Sequence, residues 1–537
     1  MTTKTMRERM ATTMELNKPE YHEYEEFQNR SAKLKEIIAL GVDPYPPKFE
    51  KSTDSNALIK KIGEETVGSF EDAEAGSTEE VILAGRLVLF RAMGKNAFGH
   101  IQDETGRIQV MFNRDATVVT GLTSEEVRPI KFIEKKIDLG DIIGVRGNIF
   151  RTNKGELTIY VKECTLLCKT LLPLPDKHSG LTDKGVRYRK RWLDLIDNPD
   201  SKEVLIMRSK IVSLVRRYYE QANFIEVETP ILQNIYGGAE ARPFTTELNA
   251  LHQEMYLRIA LEIALKKLIV GGLPKVFEIG KVFRNEGLDR THNPEFTMLE
   301  SYSAYWDYND VMTFTENLFA FVAKELFGTT KIGKRKDKSG VEHEIDVKTP
   351  WTRLTMKESI KKYGNLDVDS MSDEELKNAL KEKTDLAPAD YKNQPRGKCI
   401  ALLFEELVEH HLIQPTHITD HPIETTPLCK LHRDPKEREA QIVERFETFI
   451  LGYEFCNAYT ELNDPVMQRM LLEDQSAKRD GGDEEASPMD EEFIESICQG
   501  MPPCGGLGVG IDRMTMLFTG AYSIRDILYF PIMRPDE

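Results

Sequence analysis

The stretch from Val276 to Glu300 constrains the chain most. An apolar run (Val276, Phe277, Ile279, Val282, Phe283) leads into Arg284-Asn-Glu-Gly-Leu-Asp-Arg-Thr-His-Asn-Pro294, and Phe296, Met298 and Glu300 follow at alternate positions. Side chains alternate across a strand, so this reads as two strands joined by a turn-rich loop. The spacing places Arg284 and Glu286 on one face of the first strand. Phe296, Met298 and Glu300 share one face of the second. Such a hairpin can grip a nucleotide, with Arg284 on a phosphate, Glu286 on a base amino group and Phe296 under the purine ring. A second element, Gly505-Gly-Leu-Gly-Val-Gly-Ile-Asp-Arg513, lets backbone approach closely and delivers another arginine.

With 537 residues the chain has room for two to four domains. Forty per cent hydrophobic and 30% charged residues indicate a soluble globular protein. No apolar run reaches the ~20 residues of a membrane span. Residues 1–20 mix Lys, Arg and Glu with no apolar core, which is neither a signal peptide nor a transit peptide. The seven cysteines include no CxxC pair, so neither a zinc knuckle nor a disulfide framework is expected. The expected location is cytoplasmic. A net charge of −17 disfavours a nucleic-acid partner taken alone. Local patches do the binding, however. Acid concentrates in Asp483–Glu495, and a basic knot lies at Arg187–Arg191.

Residues 1–75 read as an N-terminal extension with a helix near 21–41, where Leu34, Ile37 and Ile38 form a stripe and Gly41 is a stop. Within 76–170, five strand segments (Val81–Phe90, Ala97–Ile101, Gly106–Phe112, Ile142–Phe150, Leu157–Leu167) fit a small Greek-key barrel of the OB type. Pro173, Pro175, Gly180 and Gly185 mark a linker over 171–200. From 201 to 537 helices and strands mix, giving an α+β class overall. An amphipathic helix spans Val204–Ala222. The span 327–420 reads as a helical insertion, with a capping box at Ser372 and Glu375.

The two nucleotide elements resemble motifs 2 and 3 of the class II aminoacyl-tRNA synthetases, and Val204–Pro230 resembles motif 1. Motif 2 lies in 276–300 and motif 3 in 505–520. Three further stretches resemble the lysyl-tRNA synthetase family: Gly237-Gly-Ala-Glu-Ala-Arg-Pro-Phe-Thr245, Tyr256-Leu-Arg-Ile-Ala-Leu-Glu262 and Glu454-Phe-Cys-Asn-Ala-Tyr-Thr-Glu461. The resemblance covers nearly the whole chain and implies an antiparallel catalytic sheet flanked by helices. Leu261, Ser301 and Cys504 depart from the family pattern without touching a charged role.

The resemblance implies an ATP-dependent ligase of subclass IIb that joins lysine to its tRNA through a lysyl-adenylate. Diadenosine polyphosphate synthesis is an implied side activity. Arg284 and Arg513 would be catalytic. ATP would meet Arg284, Glu286, His292, Asn293, Phe296, Glu447 and Arg513. Glu447 and Glu454 match the family's Mg²⁺ ligands. Glu461 and Tyr302 would hold the lysine ε-ammonium, Glu262 and the Gly238 carbonyl its α-ammonium, and Arg284 and Asn457 its carboxylate. Glu300 and Tyr459 would line the pocket. Arg91, Phe98, Gln109 and Glu156 would read the anticodon, with Phe98 stacking a splayed base. Motif 1 implies a homodimer.

Three alternatives stay open: an aspartyl- or asparaginyl-tRNA synthetase, a lysine-transferring enzyme without tRNA, and a non-catalytic scaffold. The first should present a cation to the substrate side chain, and the motifs contain no spare Arg or Lys for it. The second lacks a barrel. The third predicts loss of Arg284, Glu286, Glu447, Glu454 or Arg513, and all five are present.

Overall fold

A computed structural model describes residues 19–63, 65, 67–175, 181–483 and 485–535. The expectations for residues 1–18 and for Gly180 lie outside the described residues. The chain divides into two compact units, Met1–Gly180 and Leu181–Glu537.

In the first unit, helix α1 (Glu25–Ala39) ends before Gly41, whose φ of +90° suits glycine. Its packing face differs from the expected stripe. Ile37 is buried, but Ile38 is 48% exposed. Arg30 takes the buried position instead, with Nη1 donating to the Leu139 carbonyl at 3.2 Å and to Thr170 Oγ1 at 2.8 Å. A hydropathy stripe cannot register a buried arginine whose partners include residues more than a hundred positions away. A short helix α2 (Phe70–Ala75) begins at a Ser69/Asp72 capping box.

Five strands follow: β1 (Glu80–Met93), β2 (Asn96–Gln102), β3 (Arg107–Asn113), β4 (Ile142–Arg151) and β5 (Leu157–Cys168). Their order is β3-β2-β1-β4-β5, and a parallel β3–β5 pairing closes the barrel. Ala97, Ile101, Ile108, Val110, Phe112, Val145 and Val161 fill the interior. Alternation therefore sends Phe98, His100, Gln109 and Met111 to the outer face. Phe98 pairs with Met111, and His100 with Gln109.

The second unit starts its core with α3 (Pro199–Gln221), which has proline in the first turn, where no intrahelical N–H is lost. Strands β6 (Ile225–Glu226), β7 (Lys275–Phe283), β8 (Glu295–Ala304), β9 (Thr352–Thr355), β10 (Thr416–Pro422), β11 (Ile442–Ile450), β12 (Tyr453–Thr460) and β13 (Cys504–Gly510) form one sheet. The order is β9-β10-β11-β12-β13-β8-β7-β6. The two outermost pairs are parallel and the rest antiparallel. On one side α3 and α5 (Tyr308–Phe327) pack Ile211, Tyr219, Leu318 and Phe319 against Phe277, Leu299 and Val509. On the other, α4 (Glu262–Val270) contributes Leu265 and Ile269 to a cluster with Tyr302 and Phe493. The functional cavities open on this second side.

The span 327–420 is only partly helical. It begins with a hairpin, Lys331–Lys336 against Glu342–Asp346, and β9 and β10 lie in the main sheet. Its helical part holds α6 (Asp373–Lys383), capped by Ser372 and Glu375, and α7 (Arg396–Leu407). The motif 3 segment is β13 followed directly by α8 (Ile511–Thr519).

Candidate active site and nucleic-acid face

A cavity of about 280 Å³ lies against β8, β12, β13 and the start of α4. It is lined by every residue expected to bind lysine: Gly238, Glu262, Arg284, Glu300, Tyr302, Asn457, Tyr459 and Glu461. Strand pairing accounts for the convergence. Tyr302 sits opposite Gly506, Tyr459 also opposite Gly506, and Glu300 and Asn457 both opposite Gly508. The glycines leave the space. A Cβ on Gly506 would stand 2.0 Å from Glu461 Oε1 and 2.5 Å from the Tyr302 ring. Gly238 has φ of +87° and lies so close to α4 that a Cβ would come within 3.1 Å of Glu262.

Three carboxylates are buried here. Glu300 Oε1 accepts from the Leu261 N–H at 3.0 Å, and Tyr302 donates its OH to Glu300 Oε2 at 3.3 Å. Burial, reinforced by the Glu262 charge, pushes the Glu300 carboxyl up to about 7. Burial also raises Glu262 and Glu461 above the usual carboxylate range. Glu461 Oε1 is buried without a hydrogen-bond partner. A cavity carrying this much unspent negative charge suits a cationic ligand.

A second cavity, of about 320 Å³, shares Arg284, Glu454 and Asn457 with the first and adds Glu286, His292, Asn293, Phe296 and Arg513. Arg284 lies one residue beyond β7, and its guanidinium stands 5.3 Å from the centre of the Phe296 ring. Burial opposes the Arg284 charge, and the carboxylates of Glu286, Glu454 and Glu300 support it. The expected strand positions for Arg284 and Glu286 need correction: β7 stops at Phe283, and Glu286 is exposed in the loop. The Arg284 N–H still bonds the Pro294 carbonyl at 2.9 Å, which carries the hairpin geometry one step further.

Arg513 lies in the first turn of α8. Its Nη1 donates to the Glu454 carbonyl at 2.7 Å, and Nη2 lies 3.3 Å from His292 Nε2. His292 is held in turn by Asp289, Nδ1 to Oδ2 at 2.8 Å. Against the cost of burial, that bond and the N–H groups of Thr291 and His292 hold Asp289 well below the usual range. Asn293 is buried, donates to the Glu295 carbonyl at 2.6 Å, and leaves Oδ1 unpartnered.

Glu447 and Glu454 stand on the two strands of the β11–β12 hairpin, Glu447 opposite Asn457 and Glu454 opposite Phe449. Glu447 lines the first cavity only, and Glu454 lines both. Burial and then the Glu447 charge raise Glu454. Two carboxylates where the two cavities meet suit a hard divalent cation completed by oxygen ligands from outside the protein. Among the described residues, no group of three or more His, Cys, Asp or Glu side chains gathers to hold a metal without such help.

On the barrel, Gln109 Nε2 donates to Glu156 Oε2 at 2.8 Å, and His100 Nε2 meets Glu156 Oε1 at 2.9 Å. Phe98 is half-buried, resting on Met111, Phe150 and Tyr160 while keeping part of its ring in solvent. Arg91, opposite Phe98 on β1, is exposed. The four expected base-reading residues thus share one outer face.

Two buried cations escaped sequence reasoning, Arg445 in the cavity wall and Lys266 behind it. Arg445 on β11 is buried, with Nε donating to Asn457 Oδ1 at 3.1 Å, Nη1 to the Thr425 carbonyl at 2.9 Å, and Nη2 paired with Glu447. Lys266 on α4 pairs with both Glu262 and Glu461. Both lie outside the quoted stretches and both are bound to carboxylates, so neither is a spare cation for an acidic side chain. The i,i+4 spacing of Glu262 and Lys266 was the available signal for the second.

Residues 183–534 match the family model described as tRNA synthetases class II (D, K and N), and residues 81–167 match the OB-fold nucleic acid binding domain. The Lysine–tRNA ligase of Chlamydia caviae is 56% identical over 522 residues, covering 97% of this chain and 99% of that protein. The namesake from Moorella thermoacetica is 45% identical over 510 residues, 95% of this chain and 97% of its own length. That from Halalkalibacterium halodurans is 46% identical, covering 94% and 96% respectively. With catalytic sheet, barrel and near-full-length relatives in agreement, the chain belongs to the class II tRNA synthetases of the D, K and N group.

Proposed function

We propose that the protein is a lysine–tRNA ligase, and the observation that carries this reading is the cavity of three buried carboxylates abutting Arg284. Lysine enters with its ammonium groups on Glu461, Glu262 and Glu300 and its carboxylate on Arg284 and Asn457. One carboxylate oxygen attacks the α-phosphorus of ATP, forming the acyl–phosphate bond as the bond to pyrophosphate breaks. The attacking group is already ionised, so no protein base is needed. Positioning and positive charge supply the catalysis. Arg284 bridges carboxylate and α-phosphate, Arg513 and His292 hold the terminal phosphates, and Phe296 supports the adenine whose amino group Glu286 receives.

Mg²⁺, held by Glu447 and Glu454, would neutralise the departing pyrophosphate. Arg445 keeps Glu447 and Asn457 oriented between the two substrates. A tRNA 3′-terminal hydroxyl then attacks the lysyl carbonyl, forming the ester as the bond to AMP breaks, and the outer barrel face receives the anticodon on Phe98, Arg91, Gln109 and Glu156. In the absence of tRNA, a terminal phosphate oxygen of a second ATP can attack the adenylate phosphorus, giving diadenosine polyphosphate as lysine leaves. Exposed apolar side chains after α3 (Ile225, Ile231, Leu232, Ile235) support pairing with a second copy. The absence of any helix long and apolar enough to cross a membrane, among the described residues, accords with a cytoplasmic site of action.

Transfer of radiolabelled lysine to a lysine-accepting tRNA, with ATP and Mg²⁺, tests the reading. Charging that depends on all three substrates supports it. Charging of the same tRNA with aspartate or asparagine, or none with any amino acid, refutes it.

A further inference from the structure

Behind two of the cavity's carboxylates lies a buried cation that does not itself line the cavity. Lys266 lies one helical turn after Glu262 on α4 and has no exposed surface. Its Nζ pairs with Glu262 Oε1 and Glu461 Oε2. The ring centres of Tyr302 and Phe493 each lie 5.9 Å from it. Burial works against this ammonium, and the Glu262 and Glu461 charges outweigh it, so Lys266 stays charged. The other titratable groups around these carboxylates are Glu300, which interacts with Glu262 and Glu461, the phenols of Tyr302 and Tyr459, and the thiols of Cys429 and Cys504, which sense both Glu461 and Lys266.

A charge count gives the pair of contacts a meaning. With all three buried carboxylates (Glu262, Glu300, Glu461) ionised, as a bound cation would hold them, the one Lys266 ammonium leaves two negative charges for the ligand. Free lysine carries two ammonium groups, and its carboxylate goes to Arg284. We propose that Lys266 is a positioning and specificity-determining residue that sets the cavity's charge to accept a dication. It engages one oxygen of Glu262 and one of Glu461, fixes both side chains, and leaves Glu461 Oε1, which has no other partner, for the substrate. Without it the cavity holds a surplus carboxylate, which takes up a proton and turns from acceptor to donor. This inference rests on the lysine reading proposed above.

Lysine-dependent ATP–pyrophosphate exchange by Lys266→Met, a side chain of similar length without the charge, tests it. The KM for lysine should rise at least about tenfold near neutral pH, as expected when a buried ion partner is removed, while the KM for ATP holds. The penalty should shrink toward about pH 9, where the carboxylates ionise unaided. An unchanged lysine KM, or a penalty that is flat with pH, overturns the proposal. Wild-type protein serves as the control. If it fails to exchange with lysine, the lysine reading falls instead. Should Lys266→Met not fold, calorimetry of lysine binding to wild type in buffers of different ionisation enthalpy decides. One resident cation predicts release of about one proton or fewer near neutral pH, and release of about two or more refutes it.

Discussion

The two regions that this protein devotes to recognition are built oppositely. The cavity of the second unit presents charge withdrawn from the surface: Glu262, Glu300, Glu461 and Lys266 are all buried. The outer face of the barrel reads with groups that stay wet: Arg91 and Glu156 are exposed, and Gln109 and Phe98 are half so. Each design follows from its ligand. A small ion is distinguished by a matched number of opposite charges in a medium where a mismatch is costly. An unpaired base is distinguished by a stacking surface and edge contacts, and these form and dissolve readily when exposed. The difference implies that single changes in the cavity act through charge and are severe, whereas changes on the barrel act through contact area and are moderate.

Arg284→Ala should cause the largest loss. In the proposed mechanism Arg284 touches both reacting partners, and removing one such donor costs on the order of 10²–10³-fold. Lysine-dependent pyrophosphate exchange should fall at least that far, with lysine binding weakened as well. Retention of most of the rate would break the assignment of Arg284 to the reacting atoms. Glu461→Gln comes next. Losing one partner of a buried charge pair costs roughly 2–5 kcal/mol, so the KM for lysine should rise about a hundredfold with the fold intact. Strong adenylation by this variant at low lysine would sink the pocket assignment.

Phe98→Ala sharpens the contrast from the other side. Base stacking on an aromatic ring is worth about 1–3 kcal/mol, so tRNA charging should drop about tenfold while lysine-dependent exchange stays as it was. If both fell together, the division of labour between the two regions would be wrong. The last effect concerns pH. The Glu300 carboxyl is raised in the folded protein to about 7. The stability it contributes is therefore complete below its unfolded value and is lost as pH rises through the folded one, about 3 kcal/mol at most. Bound lysine supplies the missing cation. The gain in melting temperature on adding lysine should be larger at about pH 8 than at about pH 5.5. A gain that shrinks over that interval contradicts the charge account.

The barrel was almost fully legible in the sequence, because alternation and turn residues mark strands whose one face is buried. All five strands fall within three residues of the expected bounds. The hairpin of β7 and β8 was legible for the same reason, except that periodicity carried the strand past Phe283 into a loop fixed by the Pro294 carbonyl. Ile38 was misjudged because Arg30 fills the place hydropathy assigned to it. Lys266 and Arg445 were invisible for a deeper reason. Their partners Glu461 and Asn457 belong to other elements, and only sheet pairing brings those carboxylate and amide groups to them. A local pattern shows which residues are polar. It does not show which buried charges are already matched.

The central claim is that buried charge selects lysine. It is tested most directly by ATP–pyrophosphate exchange with each of the twenty amino acids in turn, with Mg²⁺ and without tRNA. The account predicts exchange with lysine alone. Exchange with aspartate or asparagine, or with none of the twenty by folded protein, would contradict it.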